Sequence, residues 1–248
     1  MLNRLMSALV FSGSLLIGCA SPEREPSQAR ADVRVLTREA QTAMTPADAL
    51  QRLKDGNERF ATGRSLQRDS SGEIHASAAG QHPFAAVVSC LDSRTSAELV
   101  FDQGLGAVFS ARLAGNVLND DVLGSLEFAT KVAGAKLIVV VGHSGCGAVK
   151  GACDKVELGH LSGLLKRIEP AVQATRDRVG ADPGGKDPGF VNEVAREHVR
   201  RTVRQLQDES PILKDLVGRG SLKIVGAFHD LTTGRVVYLA ESEAREVK

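Results

Sequence analysis

Two short apolar runs, each delivering the chain into a cluster of reactive side chains, constrain the fold more than anything else in the sequence. Phe84-Ala85-Ala86-Val87-Val88 leads into Cys90-Leu91-Asp92-Ser93-Arg94, and Leu137-Ile138-Val139-Val140-Val141 leads into His143-Ser144-Gly145-Cys146. Runs this short, rich in β-branched residues and closed by serine or glycine, read as strands buried on both faces, the habit of parallel sheets. In open α/β sheets, ligands lie beyond the carboxyl ends of the strands. If the two strands are neighbours, two thiolates and one imidazole meet at a common point. Cys2His with a vacant fourth position is a donor set of catalytic zinc, and zinc lowers the pKa of a bound water to about 7. Asp92 and Arg94, two residues apart, can both turn inward from a tight turn after the strand, the guanidinium keeping the carboxylate ionised and aimed.

The remaining pattern alternates strand and helix. Thr45-Pro46 gives an N-cap and a first-turn proline, and Ala49, Leu50, Leu53 and Phe60 follow at helical spacing up to Gly63. That amphipathic helix is compatible with packing on its own domain or on a partner subunit. Arg64 to Gly80 reads as a polar loop. Strands are expected at Phe84–Cys90, Ala107–Leu113 and Lys136–Gly142, with a helix capped by Asn119 and carrying Val122, Leu126, Ala129 and Ala133 inward until Gly134. A helix opens near Cys146, and another is expected from about Leu161 to Val179. Asp182 to Gly189, with two prolines and three glycines, is a break. A long helix follows with Val191, Val194, Val199, Val203 and Leu206 as its core face, then strands at Ser221–Phe228 and Arg235–Ala240 joined through Thr232-Thr233-Gly234. Alternating βα units with an added hairpin imply one doubly wound α/β domain with a mainly parallel sheet of about five strands.

Composition excludes several classes of function. Lys+Arg 31 against Asp+Glu 30 leaves no basic field for nucleic acid, and 4% aromatic residues with no Trp leave no stacking platform for bases. A small or polar substrate is the better fit. Arg4 followed by the apolar stretch Leu5 to Ile17 has the form of an export signal, too short to span a bilayer. Leu16-Ile17-Gly18-Cys19 resembles the bacterial lipobox, in which the cysteine is lipidated and becomes the new N-terminus; the alternative is an ordinary secretory signal with an incidental cysteine. The expected division is a signal peptide at 1–18, a lipidated polar tether at 19–43 and a catalytic domain at 44–248. Ala20 lacks the usual inner-membrane retention signal, which places the anchored protein at the periplasmic face of the outer membrane. Setting Cys19 aside leaves Cys90, Cys146 and Cys153, an odd count that argues against a disulfide framework. Cys153, two helical turns beyond Cys146, is expected to be a small buried apolar residue.

Cys90-x-Asp92-Ser93-Arg94 followed by His143-x-x-Cys146 resembles the two signatures of the β-class carbonic anhydrases. Leu53 to Phe60, Phe101 to Gly106, Arg112 to Asn116 and Ile224 to Ala227 resemble further family segments in the same order, so the likeness runs from about Pro46 to Ala240. The resemblance implies reversible hydration of CO2 to bicarbonate and a proton, with one Zn2+ per subunit held by Cys90, His143 and Cys146. It implies that Asp92 and Arg94 form the dyad orienting the nucleophile. Gln81, nine residues before Cys90, matches a glutamine that hydrogen-bonds substrate from the neighbouring subunit, and Phe109 and Phe128 match apolar positions lining the CO2 pocket. At Phe128 this chain departs from the tyrosine common there. The family forms intertwined dimers that often pair into tetramers, so a homodimer or homotetramer is implied. In the bicarbonate-gated subtype Asp92 would be a fourth metal ligand in a closed state, and a tryptophan lies three residues before the first ligand; here that residue is Val87. The open subtype is therefore expected.

Other readings account for less. Gly142-His143-Ser144-Gly145-Cys146 nearly spells a serine-hydrolase elbow, but its last glycine is replaced by Cys146 and the Cys90 cluster is left without a role. Gly142, Gly145 and Gly147 fit neither the phosphate-loop nor the dinucleotide spacing. A zinc or bicarbonate sensor on the same scaffold, and a hydrolase of CS2 or COS, are the remaining alternatives. His75, His82, His160, His198 and His229 are each expected to be structural or exposed, and no residue is assigned as proton shuttle.

Overall fold

A computed structural model describes residues 35–239. The export signal, Cys19 and most of the tether lie outside the described residues, as does Ala240. Within them, β1 (Ala85–Ser89), β2 (Val108–Arg112), β3 (Leu137–His143), β4 (Lys223–His229) and β5 (Val236–Tyr238) form one sheet in the order β2-β1-β3-β4-β5. The first three pairings are parallel and β4–β5 is antiparallel. Every residue of β1 and β3 is buried, whereas the edge strand β2 is only partly covered. That is the mainly parallel α/β sheet expected from the two apolar runs. From β1 the chain moves outward to β2 and then returns across β1 to β3, so the order reverses between β1 and β3. Their carboxyl ends form the topological switch point where such sheets bind ligands.

The helices are α1 (Arg38–Ala43), α2 (Pro46–Ala61), α3 (Ser70–Ser77), α4 (Ala97–Val100), α5 (Asp120–Glu127), α6 (Gly147–Cys153), α7 (Gly159–Leu165), α8 (Glu169–Val179), α9 (Pro188–Glu209) and α10 (Pro211–Gly218). At α2 the Thr45 side chain accepts from the Asp48 backbone while Asp48 accepts from the Thr45 backbone, a reciprocal cap around Pro46. Such caps contribute about 1 kcal/mol each. The long helix α9 starts with the Asp187 side chain capping Phe190 and with Pro188 in the first turn. It packs on β3 and β4, and Gly142 and Gly226 are what let it approach. A Cβ on either would lie 2.7 or 2.8 Å from a Val199 methyl. Val191, Val194, Val199 and Leu206 are buried as expected, and Val203 is only partly so.

Four sequence expectations differ from the structure. The end of the stretch read as tether is helix α1, whose Gln41 is 5% exposed and donates to the Pro83 and Ala133 carbonyls at 2.7 and 2.9 Å. A truncated soluble form therefore needs to begin before Leu36, not at the reciprocal cap. The segment read as a polar loop contains α3, capped by Asp69 and fixed by Glu73, which accepts from the Leu105 backbone at 3.1 Å. The helix expected from Leu161 to Val179 is two helices, because Pro170 supplies no N–H and its ring clashes with the preceding turn. The helix bearing Val122, Leu126 and Ala129 ends at Glu127 and continues as a π-turn over Phe128–Val132. The apolar pattern gives no helix over Pro211–Gly218, yet α10 forms there, with Ser210-Pro211 supplying its cap and first turn.

Candidate metal centre

Cys90 is the first residue beyond β1 and His143 the last of β3, and the register Ser89↔Val141 makes these strand ends direct neighbours. The chain then turns through Gly145, whose φ of +63° is a left-handed value suited to glycine, and Cys146 becomes the N-cap of α6. Asn192 of α9 accepts from the Gly145 N–H at 2.9 Å, and Ser144 donates its backbone N–H to the His229 carbonyl at 3.0 Å, so the loop is pinned on two sides. The result is that Cys90 Sγ, a His143 ring nitrogen and Cys146 Sγ lie within 4.8 Å of one another, all three residues buried. The two sulfurs are 3.9 Å apart.

That geometry suits a tetrahedral cation with soft donors. Sulfurs at about 2.3 Å from zinc subtend an edge of about 3.8 Å. The His143 ring donates through Nδ1 to its neighbour's carbonyl, Ser144 O, at 3.0 Å, which leaves Nε2 buried with no protein partner. A buried ring nitrogen without a partner is costly unless something binds it, and a histidine fixed through its other nitrogen is the usual form of a metal ligand. Cys90 Sγ accepts from the Gly115 N–H at 3.3 Å. Its hydrogen bond with Cys146 holds the Cys90 thiol well below the ordinary value, helped by contacts with His143, Asp92 and Gly115, against the opposing effect of burial. The same contact and burial push Cys146 up. The electrostatics at the pair thus leave a thiolate between two sulfurs, which a dication relieves.

Asp92 lies two residues on. Arg94 binds it through Nε to Oδ1 at 3.0 Å, Nη2 to Oδ2 at 2.8 Å and its own backbone N–H to Oδ1 at 3.0 Å. The Arg94 side chain beside it holds the Asp92 carboxyl well below the usual carboxylate range, and Arg94 itself is raised by the same pair. Both expected dyad residues are therefore engaged with each other, next to the sulfur–imidazole cluster.

The domain matches the carbonic anhydrase family over residues 85–236. It is 41% identical over 198 residues to carbonic anhydrase 2 of Mycobacterium tuberculosis, covering 77% of this chain and 92% of that one. The chain belongs to the carbonic anhydrases. Its fold places it in the β class: the β-carbonic anhydrase CcaA superposes with a TM-score of 0.65 at 25% identity, over 79% of this chain and 97% of that one. One of two tetrameric β-carbonic anhydrases from Sordaria macrospora gives 0.62 at 22% identity, over 69% and 91%. This carbonic anhydrase is an α/β enzyme of CO2 hydration, and its Cys-His-Cys cluster is a metal-type site.

Not every expected site residue joins the cluster. Gln81 is exposed and precedes the amino end of β1, while Cys90 follows its carboxyl end. Phe109, near the start of β2, and Phe128 meet edge-to-face with ring centroids 6.4 Å apart, lining a surface cavity of about 540 Å³ that also touches Ala86. Within one subunit these three residues lie toward the opposite end of the sheet from Cys90. Ser144, the nucleophile of a hydrolase reading, instead accepts from the Leu231 N–H at 2.9 Å. The glycine reading fails too, since Gly142 faces Val199.

Sequence reasoning missed Arg112 and Thr95, which bind the backbone of the Cys90–Asp92 turn. Two of the histidines expected to be structural or exposed are buried. His229 pairs in register with His143, and both its ring nitrogens are buried without partners. His198, on α9, contacts the Gly115 carbonyl, and burial lowers it to about 4. Cys153 stays apart from the cluster, buried at 3% exposure among Ala152, Leu165 and Val172, with its thiol pushed up to about 11 by burial. Cys153→Ala should cost about 1 kcal/mol or less of stability and leave metal stoichiometry at the wild-type value, measured by denaturant unfolding and elemental analysis. Loss of metal in that variant would refute a packing role.

Proposed function

We propose that this carbonic anhydrase binds one zinc ion per subunit through Cys90, His143 and Cys146 and uses it to hydrate CO2 reversibly to bicarbonate and a proton. The observation that carries the reading is the buried trio of donors with an unpartnered His143 Nε2 beside an Asp92 kept ionised by Arg94. When bound, zinc supplies a water ionised near neutral pH. The chain supplies the rest. Cys90 and Cys146 enter as thiolates, and the Ser144 carbonyl fixes the tautomer in which His143 Nε2 offers its lone pair. Asp92, held by three hydrogen bonds from Arg94, can only accept, so it orients any hydroxyl that donates to it. Stopped-flow CO2 hydration with and without chelator, with metal counted on the same sample, is the test. Chelator-sensitive turnover at one zinc per chain is expected; chelator-insensitive turnover by a metal-free sample would end the reading.

The active assembly is a homodimer, or a homotetramer built from two such dimers. Gln81, Phe109 and Phe128 lie toward the far end of their own sheet, where a second copy would have to bring them to a Cys90 cluster. The edge strand β2 has no partner on its outer side among the described residues, and Leu99 and Phe128, on the helical segments before and after it, are 67% and 53% exposed. The Sordaria relatives are tetrameric.

The enzyme is exported and anchored through lipidated Cys19 at the periplasmic face of the outer membrane, and none of the described helices is long and apolar enough to cross a bilayer. Cys19→Ala should release it from the membrane fraction with specific activity unchanged. Wild-type protein recovered wholly soluble and unlipidated would overturn the anchor.

A further inference from the structure

The turn that carries Cys90 and Asp92 leaves the sheet immediately after Ser89, so its carbonyls have no strand partner. Two of them converge on the same side chains. The Cys90 carbonyl accepts from Arg112 Nε at 3.1 Å and Thr95 Oγ1 at 2.9 Å. The Asp92 carbonyl accepts from Arg112 Nη2 at 2.6 Å, Thr95 Oγ1 at 3.0 Å and the Thr95 backbone N–H at 3.1 Å. Leu91, between them, is 59% exposed and packs too little to hold the turn. Arg112 reaches both carbonyls because it ends β2 directly opposite Ser89, the last residue of β1.

The usual account of an aspartate–arginine dyad gives Arg94 the task of aiming Asp92. The Arg94 side chain, however, is 62% exposed. It also sits in the same turn as Asp92, so its bidentate grip aims the carboxylate within the turn but cannot fix where the turn itself lies. The Arg112 fork is partly buried and binds the main chain on either side of Leu91, so it fixes where the Asp92 Cα and the Cys90 Cα can be. We propose that Arg112 is a positioning residue for the reaction: by bridging the Cys90 and Asp92 carbonyls it sets the distance and direction of the Asp92 carboxylate relative to the Cys90–His143–Cys146 cluster, with Thr95 as the second clamp. The inference rests on the reading of that cluster as the catalytic metal centre. Arg112 acts through the turn and needs no contact with substrate. A guanidinium is required because its planar edge presents two parallel N–H donors to two acceptors, and an ammonium can match only one at a time.

The full-length chain carrying Arg112→Ala should keep its metal while kcat/KM for CO2 falls on the order of ten- to a hundred-fold, the scale of a misplacement of about 1 Å. Arg112→Lys should recover only part of the loss, and millimolar guanidinium added to Arg112→Ala should recover more than the same concentration of methylammonium. Two readouts do not depend on turnover. Amide hydrogen exchange at Thr95 should accelerate in the metal-free variant, and the visible bands of the cobalt-substituted variant should shift as the Cys90 turn relaxes. If Arg112→Ala does not fold, Thr95→Val decides, since it removes the one hydroxyl proton shared between the same two carbonyls with little change of shape and should give the same exchange and spectral changes at smaller amplitude. Unchanged kcat/KM and cobalt bands would overturn the proposal. So would activity lost strictly in proportion to metal, which would make Arg112 part of metal retention only. Wild-type protein that neither binds metal nor hydrates CO2 would instead sink the reading of the cluster itself.

Discussion

Cys146→Ser should yield a folded chain that retains little metal and hydrates almost no CO2, and Cys90→Ser and His143→Ala should do the same. Each ligand arrives from a different piece of local structure: Cys90 from the end of β1, His143 from the end of β3, and Cys146 from the N-cap of α6. No fourth cysteine, histidine or carboxylate joins the cluster among the described residues. A serine hydroxyl stays protonated at neutral pH and is a poor donor to a cation that selects thiolate and imidazole. Loss of one donor of three should therefore exceed the 10–100-fold drop in affinity that removing a mere outer partner produces. The serine is close to isosteric, so the fold should survive at a cost of about 1–3 kcal/mol for a buried, poorly paired hydroxyl. Elemental analysis, circular dichroism and stopped-flow assay on one preparation separate metal loss from unfolding. Full activity in a metal-free Cys146→Ser sample would refute the assignment.

What could be read from the sequence is what the local pattern encodes. β1 and β3 were legible because both faces are buried and the residues are almost uniformly apolar, and the meeting of Cys90, His143 and Cys146 followed from where those runs end. Helix α3 was not. Its one large apolar residue, Ile74, is 57% exposed, and what docks the helix is a buried carboxylate, Glu73, binding a backbone N–H more than thirty positions away. Gln41 and Arg112 were invisible for the same reason, since their partners are carbonyls brought close only by the folded sheet. Carbonyls carry no sequence signal, so polar clamps on the main chain escape any reading by periodicity. Pro170 was a different failure. The signal stood in the sequence, and the apolar spacing on either side masked the break.

Asp92→Asn should leave the metal in place and lower kcat/KM by about a hundred- to a thousand-fold, the cost of losing a preorganised charged partner of the nucleophile. The asparagine keeps the shape of the carboxylate but offers one acceptor oxygen where Asp92 offers two, and it lacks the charge that Arg94 binds bidentately. The same pair decides which subtype this enzyme is. Arg94 holds the carboxyl below its ordinary value, first by the side-chain hydrogen bonds. A carboxylate depressed in the folded state contributes stability above its unfolded pKa and loses it as pH falls through the lower folded value. Between pH 5 and 9 Asp92 therefore stays ionised and Arg94 stays bound to it. An acid limb above pH 5 in the rate profile should belong to another group. For Asp92 to swing onto the metal, it must give up three hydrogen bonds from Arg94. The position three residues before Cys90, where the gated subtype has a tryptophan, is Val87, buried inside β1 at 0% exposure, and the chain has no tryptophan anywhere. Bicarbonate inhibition should accordingly be hyperbolic, with a Hill coefficient near 1 as expected for sites that share no two-state switch, and Gln81→Ala should slow turnover without removing metal. A metal-bound structure at pH 7 to 8 with an Asp92 oxygen within about 2.2 Å of zinc, or sigmoidal bicarbonate inhibition at that pH, would show the enzyme to be gated.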